Sequence, residues 1–268
     1  MKRLLCALCC SVLVVGLSGC DSDEMKSAKA DFDKQVERIH SQEDELNESV
    51  TKAKEFLDNC GTPLFEEDKD NLKVSIQNAE DSIVVVPSRP KELEDIVKVT
   101  ESELVKIDYS DVIVDVKGCQ KDLEKSVKMF ELLSNPSPEF VVERLKSVEN
   151  ITGVEATTEE NDPNGNMNKP GGYTVQAYFS YSLIDQNSVF GNSIIEKGTD
   201  CGGSVEVYTS VEDANRRNEY LANFDGTILS GGSHRVVGTL VVRTSEELTA
   251  SEQKELESNI IEVLARLD

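Results

Sequence analysis

Met25, Phe32, Ile39, Leu46, Ala53 and Cys60 fall seven residues apart. Val36, Val50 and Leu57 occupy partner positions four residues after members of that series, with Lys, Glu, Asp, Gln and Ser between. A strand would turn successive members of such a series to opposite faces, so only an α-helix can bury them along one line. This is a heptad seam of about five repeats, flawed mainly at Glu43. At 1.5 Å per residue the helix is ~50 Å long. Gly61-Thr62-Pro63 ends it, because glycine and proline disfavour continuation.

Further helices follow. One is expected from Phe65 to about Ile83. Val84-Val85-Val86 then meets Pro87-Ser88-Arg89-Pro90, a turn that neither neighbouring helix can cross. From Lys91, the residues Val105, Tyr109, Val112, Val116, Cys119, Leu123, Val127 and Phe130 keep a three-four spacing. Either one helix runs to Leu133 or two meet near Asp108. An antiparallel hairpin about Pro87–Pro90 would bring Cys60 level with Cys119, each on an apolar seam. That predicts a Cys60–Cys119 disulfide, worth ~4 kcal/mol in the chain-entropy model. The competing reading keeps both as small buried thiols.

Composition changes at Asn135-Pro136-Ser137-Pro138: glycine is sparse before it and frequent after it. The expected organisation is α+β. Residues 20–135 form an antiparallel helical bundle or coiled-coil stalk. Residues 136–268 form a small mixed α/β domain with a mostly antiparallel sheet. Within that domain Glu139–Val148 reads as a helix and 155–172 as a polar loop. Residues 173–179 and 204–208 read as strands. Ser210 caps a helix running to about Phe224. Gly226–Leu229 and Arg235–Arg243 read as strands across a Gly-Gly turn. Thr249-Ala250-Ser251-Glu252 fits a capping box opening the last helix.

The first nineteen residues belong to neither unit. A basic start at Lys2 and Arg3, an apolar run from Leu4 to Val15 and small residues after it have the pattern of a signal peptide. The run is too short to span a bilayer. Leu17-Ser18-Gly19-Cys20 resembles the lipobox of bacterial lipoproteins. That resemblance implies cleavage before Cys20, a diacylglycerol on its thiol, and attachment to membrane lipid at the outer face of the cell membrane. An ordinary signal peptide that happens to contain Cys20 is the alternative. Of seven cysteines, Cys6, Cys9 and Cys10 leave with the signal, Cys20 is lipidated, and Cys60, Cys119 and Cys201 remain.

The chain has 28 basic against 51 acidic residues, a formal net charge of −23, and processing removes two of the basic ones. Such acidity opposes binding to nucleic acid and to anionic lipid surfaces. With two histidines and no tryptophan, no cofactor is expected. Two weak constellations remain. Cys201 lies in a glycine loop and His234 is the only histidine of the second domain, so the pair could serve cysteine-dependent acyl transfer. Asp162, Asn164 and Asn166 place oxygens at positions one, three and five of a calcium loop, but Met167 and Tyr173 break the pattern at six and twelve. Tyr173, Tyr178, Phe179 and Tyr181 could line a ligand face, although strand alternation sends half of them inward.

The segment Gly202-Gly203-Ser204-Val205-Glu206-Val207-Tyr208, with Glu212-Asp213-Ala214, Arg217, Tyr220-Leu221, Val237-Gly238-Thr239 and Arg243, resembles part of uncharacterised lipoproteins of Gram-positive bacteria. The resemblance covers about half the chain and implies no activity. The expectation is a non-catalytic, lipid-anchored binding or envelope-associated module, whose partner is an envelope protein or cell-wall component. The alternatives are a cysteine enzyme using Cys201 and His234 and, ranked lower, a transporter's solute-binding subunit.

Overall fold

The structure, a computed structural model, describes residues 22–227 and 231–267. The lipobox and Cys20 lie outside the described residues. The fold is α+β. Helix α1 (Asp23–Asn59) opens on Ser22, whose hydroxyl accepts the Met25 N–H at 3.2 Å, and is ~55 Å long. Its heptad seam faces inward: Phe32, Ile39, Leu46 and Ala53 are buried, while Met25 and Cys60 are partly covered. Helices α2 (Glu67–Asp81), α3 (Leu93–Ser102) and α4 (Ser110–Leu132) pack around it.

The second column of the bundle runs opposite to α1. It consists of α2 and then residues 83–90, which adopt no regular structure and bring Arg89 to Asp33 at 2.7 Å. The third column returns through α3, a 3-10 turn at Leu104–Lys106, and α4. The stretch from Lys91 to Leu133 is therefore two helices. Residues of α1 satisfy the backbone at the break. Arg38 Nη2 donates to the carbonyls of Leu104 and Ile107 at 3.0 and 2.9 Å, and Gln42 Nε2 donates to Asp108 at 2.9 Å.

The expected Cys60–Cys119 bridge is not formed, and both thiols are free. The physical reason is direction. Gln42 meets Ser110, Glu45 meets Lys117, and Gly61 lies against Val127, so numbers rise together and α1 runs parallel to α4. Cys60 therefore sits about two turns beyond Cys119, on the order of 11 Å along the axis, past the ~7 Å Cα separation a disulfide can bridge. The antiparallel partner of α4 is α2. Leu64 N–H donates to the Ser126 carbonyl at 3.0 Å, and Val84 N–H to the Tyr109 hydroxyl at 3.2 Å. Cys119 accordingly meets Ser75.

A second hydrophobic core begins at Leu133. Five antiparallel strands follow the order β1-β2-β3-β5-β4, with β1 (Ile151–Ala156), β2 (Val175–Tyr181), β3 (Gly202–Val207), β4 (His234–Val237) and β5 (Leu240–Thr244). Helices α5 (Pro138–Lys146) and α8 (Ala250–Ala265) cover one face through Val141, Leu145, Leu256, Ile260 and Leu264. Beneath them lie Val175, Ala177, Phe179, Val205, Val207, Leu240 and Val242, the alternate residues of three strands. Ser137 caps α5, and Thr249 with Glu252 forms the expected capping box on α8. A one-turn helix α6 (Ile194–Lys197) packs beside β1, and α7 (Val211–Ala222), capped by Ser210, covers the opposite face.

Three differences from the sequence expectation stand out. Ile151–Ala156 is an edge strand with an irregular register at Ile151–Gly153, and its glycine masks the strand signal. Arg235–Arg243 is not one strand but a hairpin turning at Gly238-Thr239. Gly226 and Thr227 lie in a turn, and the rest of that expected strand is outside the described residues.

Candidate functional site

The sheet face away from α5 and α8 carries polar side chains at places where alternation would put solvent. Glu206 of β3 is 0% exposed. Arg217 of α7 grips it with one edge of its guanidinium, Nε to Oε2 at 2.8 Å and Nη2 to Oε1 at 2.9 Å. The Tyr208 hydroxyl donates to Oε2 at 2.8 Å, and Arg243 lies 3.4 Å from Oε1. Burial alone would raise the Glu206 carboxyl. The Arg217 hydrogen bonds and charge, with the Arg243 charge and the Tyr208 hydroxyl, outweigh it and hold the group below its ordinary 4.5. Burial and the Glu206 charge push the Tyr178 hydroxyl up to about 12.

Above this floor the 162–173 loop folds toward α7. Asp162 organises it: Oδ1 accepts from Asn164 N–H at 3.0 Å and the Tyr173 hydroxyl at 2.5 Å. Oδ2 accepts from Asn166 and Met167 N–H at 2.7 and 2.9 Å. Four donors on one carboxylate occupy its lone pairs. The Asn164 amide nitrogen points to Tyr173, Gln176 and Tyr178 at 3.3–3.5 Å. The calcium expectation for Asp162, Asn164 and Asn166 fails on this geometry, because Asp162 is committed to the loop and Asn164 turns a donor inward. Gly172 permits the tight return: a Cβ there would lie 2.0 Å from the Asn166 carbonyl. Among the described residues no group of three or more His, Cys, Asp or Glu is placed to hold a metal ion.

Loop and helix enclose a cavity of about 480 Å³. Lys169, Gly171 and Tyr173 line one side, Arg216, Arg217 and Tyr220 the other, and Tyr208 lies between. Tyr173 and Tyr208 meet edge to face at 6.3 Å, and the Arg217 guanidinium lies 5.5 Å over the Tyr220 ring. Two buried atoms beneath it, Gln176 Nε2 and Ser204 Oγ, have no hydrogen-bond partner. Gln176 pairs with Glu206 across the strands, and Ser204 with Tyr178, so unspent polar capacity lies in the same layer as the floor.

Comparison with protein-family models, curated proteins and solved structures finds no match.

The structure does not bring Cys201 and His234 together. Cys201 is 0% exposed and its sulfur lies 3.2 Å from the Gly198 carbonyl and 3.4 Å from that of Phe179. Burial pushes its thiol up to about 11, so the thiolate a nucleophile needs is scarce at neutral pH. His234 sits on β4, with β5 between it and β3. Its ring is held by Asn218 at 2.7 Å and Asp225 at 3.2 Å. The acyl-transfer pairing is overturned.

Half of the aromatic cluster enters the core; Tyr173, which precedes β2, departs from its alternation. Phe179 and Tyr181 enter the core under α5 and α8. Tyr178 points to the polar layer, and Tyr173 lines the cavity. Sequence reasoning missed Glu206, Tyr208 and Arg217 as a unit. The available signal was an acid inside the apolar strand Ser204–Tyr208, followed by an arginine on the next helix.

Proposed function

We propose that this chain is a non-catalytic binding module of the cell envelope, anchored through a lipid on Cys20, with the cavity between the 162–173 loop and α7 as its ligand site. The observation that carries the reading is the construction of that cavity. A fully buried carboxylate fixes an arginine that also lines the opening, and a glycine-shaped loop closes the other side. Buried charge is costly unless paired, and a buried, paired charge beside a cleft is a feature of functional sites. The lipobox supports the location, and no helix among the described residues is long and apolar enough to cross a membrane. The resemblance to uncharacterised lipoproteins rests on the quoted residues alone.

The test uses the chain from Asp21 onward, keeping stalk and head, sedimented with purified envelope from the producing cells. Binding should be strong for the unaltered chain and reduced at least about tenfold in a Lys169→Glu, Tyr220→Ala double variant of unchanged melting temperature. In the same cells, an alkynyl fatty acid should label the full-length protein and not its Cys20→Ser variant. Equal sedimentation of both chains removes the cavity from the function, and labelling that survives Cys20→Ser removes the anchor.

A further inference from the structure

The open charged groups of the cavity are cations, set beside the neutral amides of Asn164 and Asn166. Lys169 is exposed and meets no carboxylate among the described residues, so its three N–H bonds are uncommitted. Arg217 spends two of its five N–H bonds on Glu206. The rest of its fork belongs to a side chain that remains 23% exposed and lines the cavity. The charged acceptors, by contrast, are taken. The Asp213 carboxylate receives Arg216 at 2.8 Å and the Ser210 hydroxyl at 2.8 Å. Glu206 receives two arginines and Tyr208. The Tyr173 hydroxyl oxygen faces Asn164.

Charge can be counted the same way. Of the charged side chains lining the opening, Lys169, Arg216 and Arg217 are basic and Asp213 is acidic; Arg216 also pairs with Glu212, and Glu206 pairs with both Arg217 and Arg243, so Lys169 is the lining cation without an acidic partner among the described residues. A site whose open charged groups are the Lys169 ammonium and one flat guanidinium edge suits a planar anion. A neutral ligand would leave the Lys169 ammonium and the free Arg217 edge without a counter-charge. At about 480 Å³ the cavity exceeds an inorganic anion and falls in the range of small organic ligands. The rings of Tyr208 and Tyr220 offer apolar surface beside the donors.

We infer that the cavity is a carboxylate-binding site, in which Lys169 and the free edge of Arg217 hold the anion while Tyr220 and Tyr208 pack on the body of the ligand. This rests on the binding-module reading and deepens it. Glu206 is then a positioning residue: it sets the plane of the guanidinium before the ligand arrives, which reduces the ordering cost of binding. The carboxylate could belong to an acidic sugar or to a peptide terminus.

The test is an NMR titration of the chain from Asp21 onward with three probes. N-acetylmuramic acid and N-acetylglucosamine share a ring and differ by a carboxylate-bearing side chain. N-acetylalanine presents the carboxylate without the ring. The expected result is that both carboxylates shift the Gly171 and Gly172 amides and the Arg217 Nε–H, whereas N-acetylglucosamine leaves them in place. Tighter binding of one acid identifies its source class. Lys169→Gln should weaken binding at least about tenfold without changing the melting temperature, and Tyr220→Ala should weaken the ringed acid more than N-acetylalanine. Equal shifts with N-acetylglucosamine would overturn the carboxylate assignment while leaving a binding cavity. No shift with either acid at millimolar concentration overturns it too; envelope sedimentation that still depends on Lys169 and Tyr220 then shows that the binding-module reading survives alone.

Discussion

Glu206 illustrates how a residue can contradict its local pattern and still be stable. In Ser204-Val205-Glu206-Val207-Tyr208 it alternates with valines, and alternation would put it in water. It is buried because α7 and the 162–173 loop cover that face as well. The loop is long and polar, so the sequence offers no warning of it. What the covering brings is Arg217, and the pair is therefore strongly coupled to the fold. Arg217→Ala should lower the unfolding free energy by about 3–5 kcal/mol, since it strands a buried charge; urea denaturation measures this directly. The Glu206 carboxyl is held below 4.5 in the folded state. Between its folded value and 4.5 the unfolded chain binds more protons, so this contribution is present above 4.5 and lost as pH falls through the folded value. Glu206→Gln should flatten the acid limb of a stability–pH curve, and an unchanged limb would assign the acid sensitivity to other carboxylates.

At the scale of elements, periodicity and capping chemistry were legible where they depend on short-range spacing. The heptad seam, the Ser210 cap and the Thr249–Glu252 box all lie where their residues place them. The relative direction of distant helices was not legible, because an apolar stripe is the same read from either end. That is why Cys60 and Cys119 do not come level: α1 and α4 do not flank one turn but are separated by two reversals. The candidate site was hidden for a related reason, since its residues come from a loop, a strand and a helix whose meeting only the topology decides. Non-reduced peptide mapping should find Cys60 and Cys119 unlinked. A Ser75→Cys variant should oxidise to a bridge with Cys119, because those positions face each other across the antiparallel α2–α4 pair. Such a bridge would raise stability by up to ~4 kcal/mol, while a Cys60–Cys119 peptide would refute the parallel register.

At the scale of the molecule, stalk and head meet through hydrogen bonds between ordered backbone. The Leu133 carbonyl, at the end of α4, accepts the Thr239 N–H at 3.0 Å and the Thr239 hydroxyl at 3.1 Å. That hydroxyl oxygen in turn accepts the Asn135 N–H at 2.8 Å. Gly238 makes the approach possible, because a Cβ there would lie 2.6 Å from the Leu133 carbonyl. Thr239→Val leaves both partners short of a bond and should cost about 1–3 kcal/mol. Its calorimetric trace should separate into stalk and head transitions, where the unaltered chain gives one. A single unsplit transition in the variant would mean that the apolar contacts of Leu64 and Met129 with the head core suffice to couple the two.

That junction gives the molecule a bearing. A helix end clamped into a β-turn lacks the swivel that a glycine-rich linker would provide, so the opening beside α7 keeps one azimuth and one height relative to Ser22, at the far end of α1. Under the proposed anchoring at Cys20, the stalk would act as a fixed lever. It presents the cavity to a particular layer of its surroundings, and a load applied to the head is carried into α4 and its neighbours through the Leu133–Thr239 clamp.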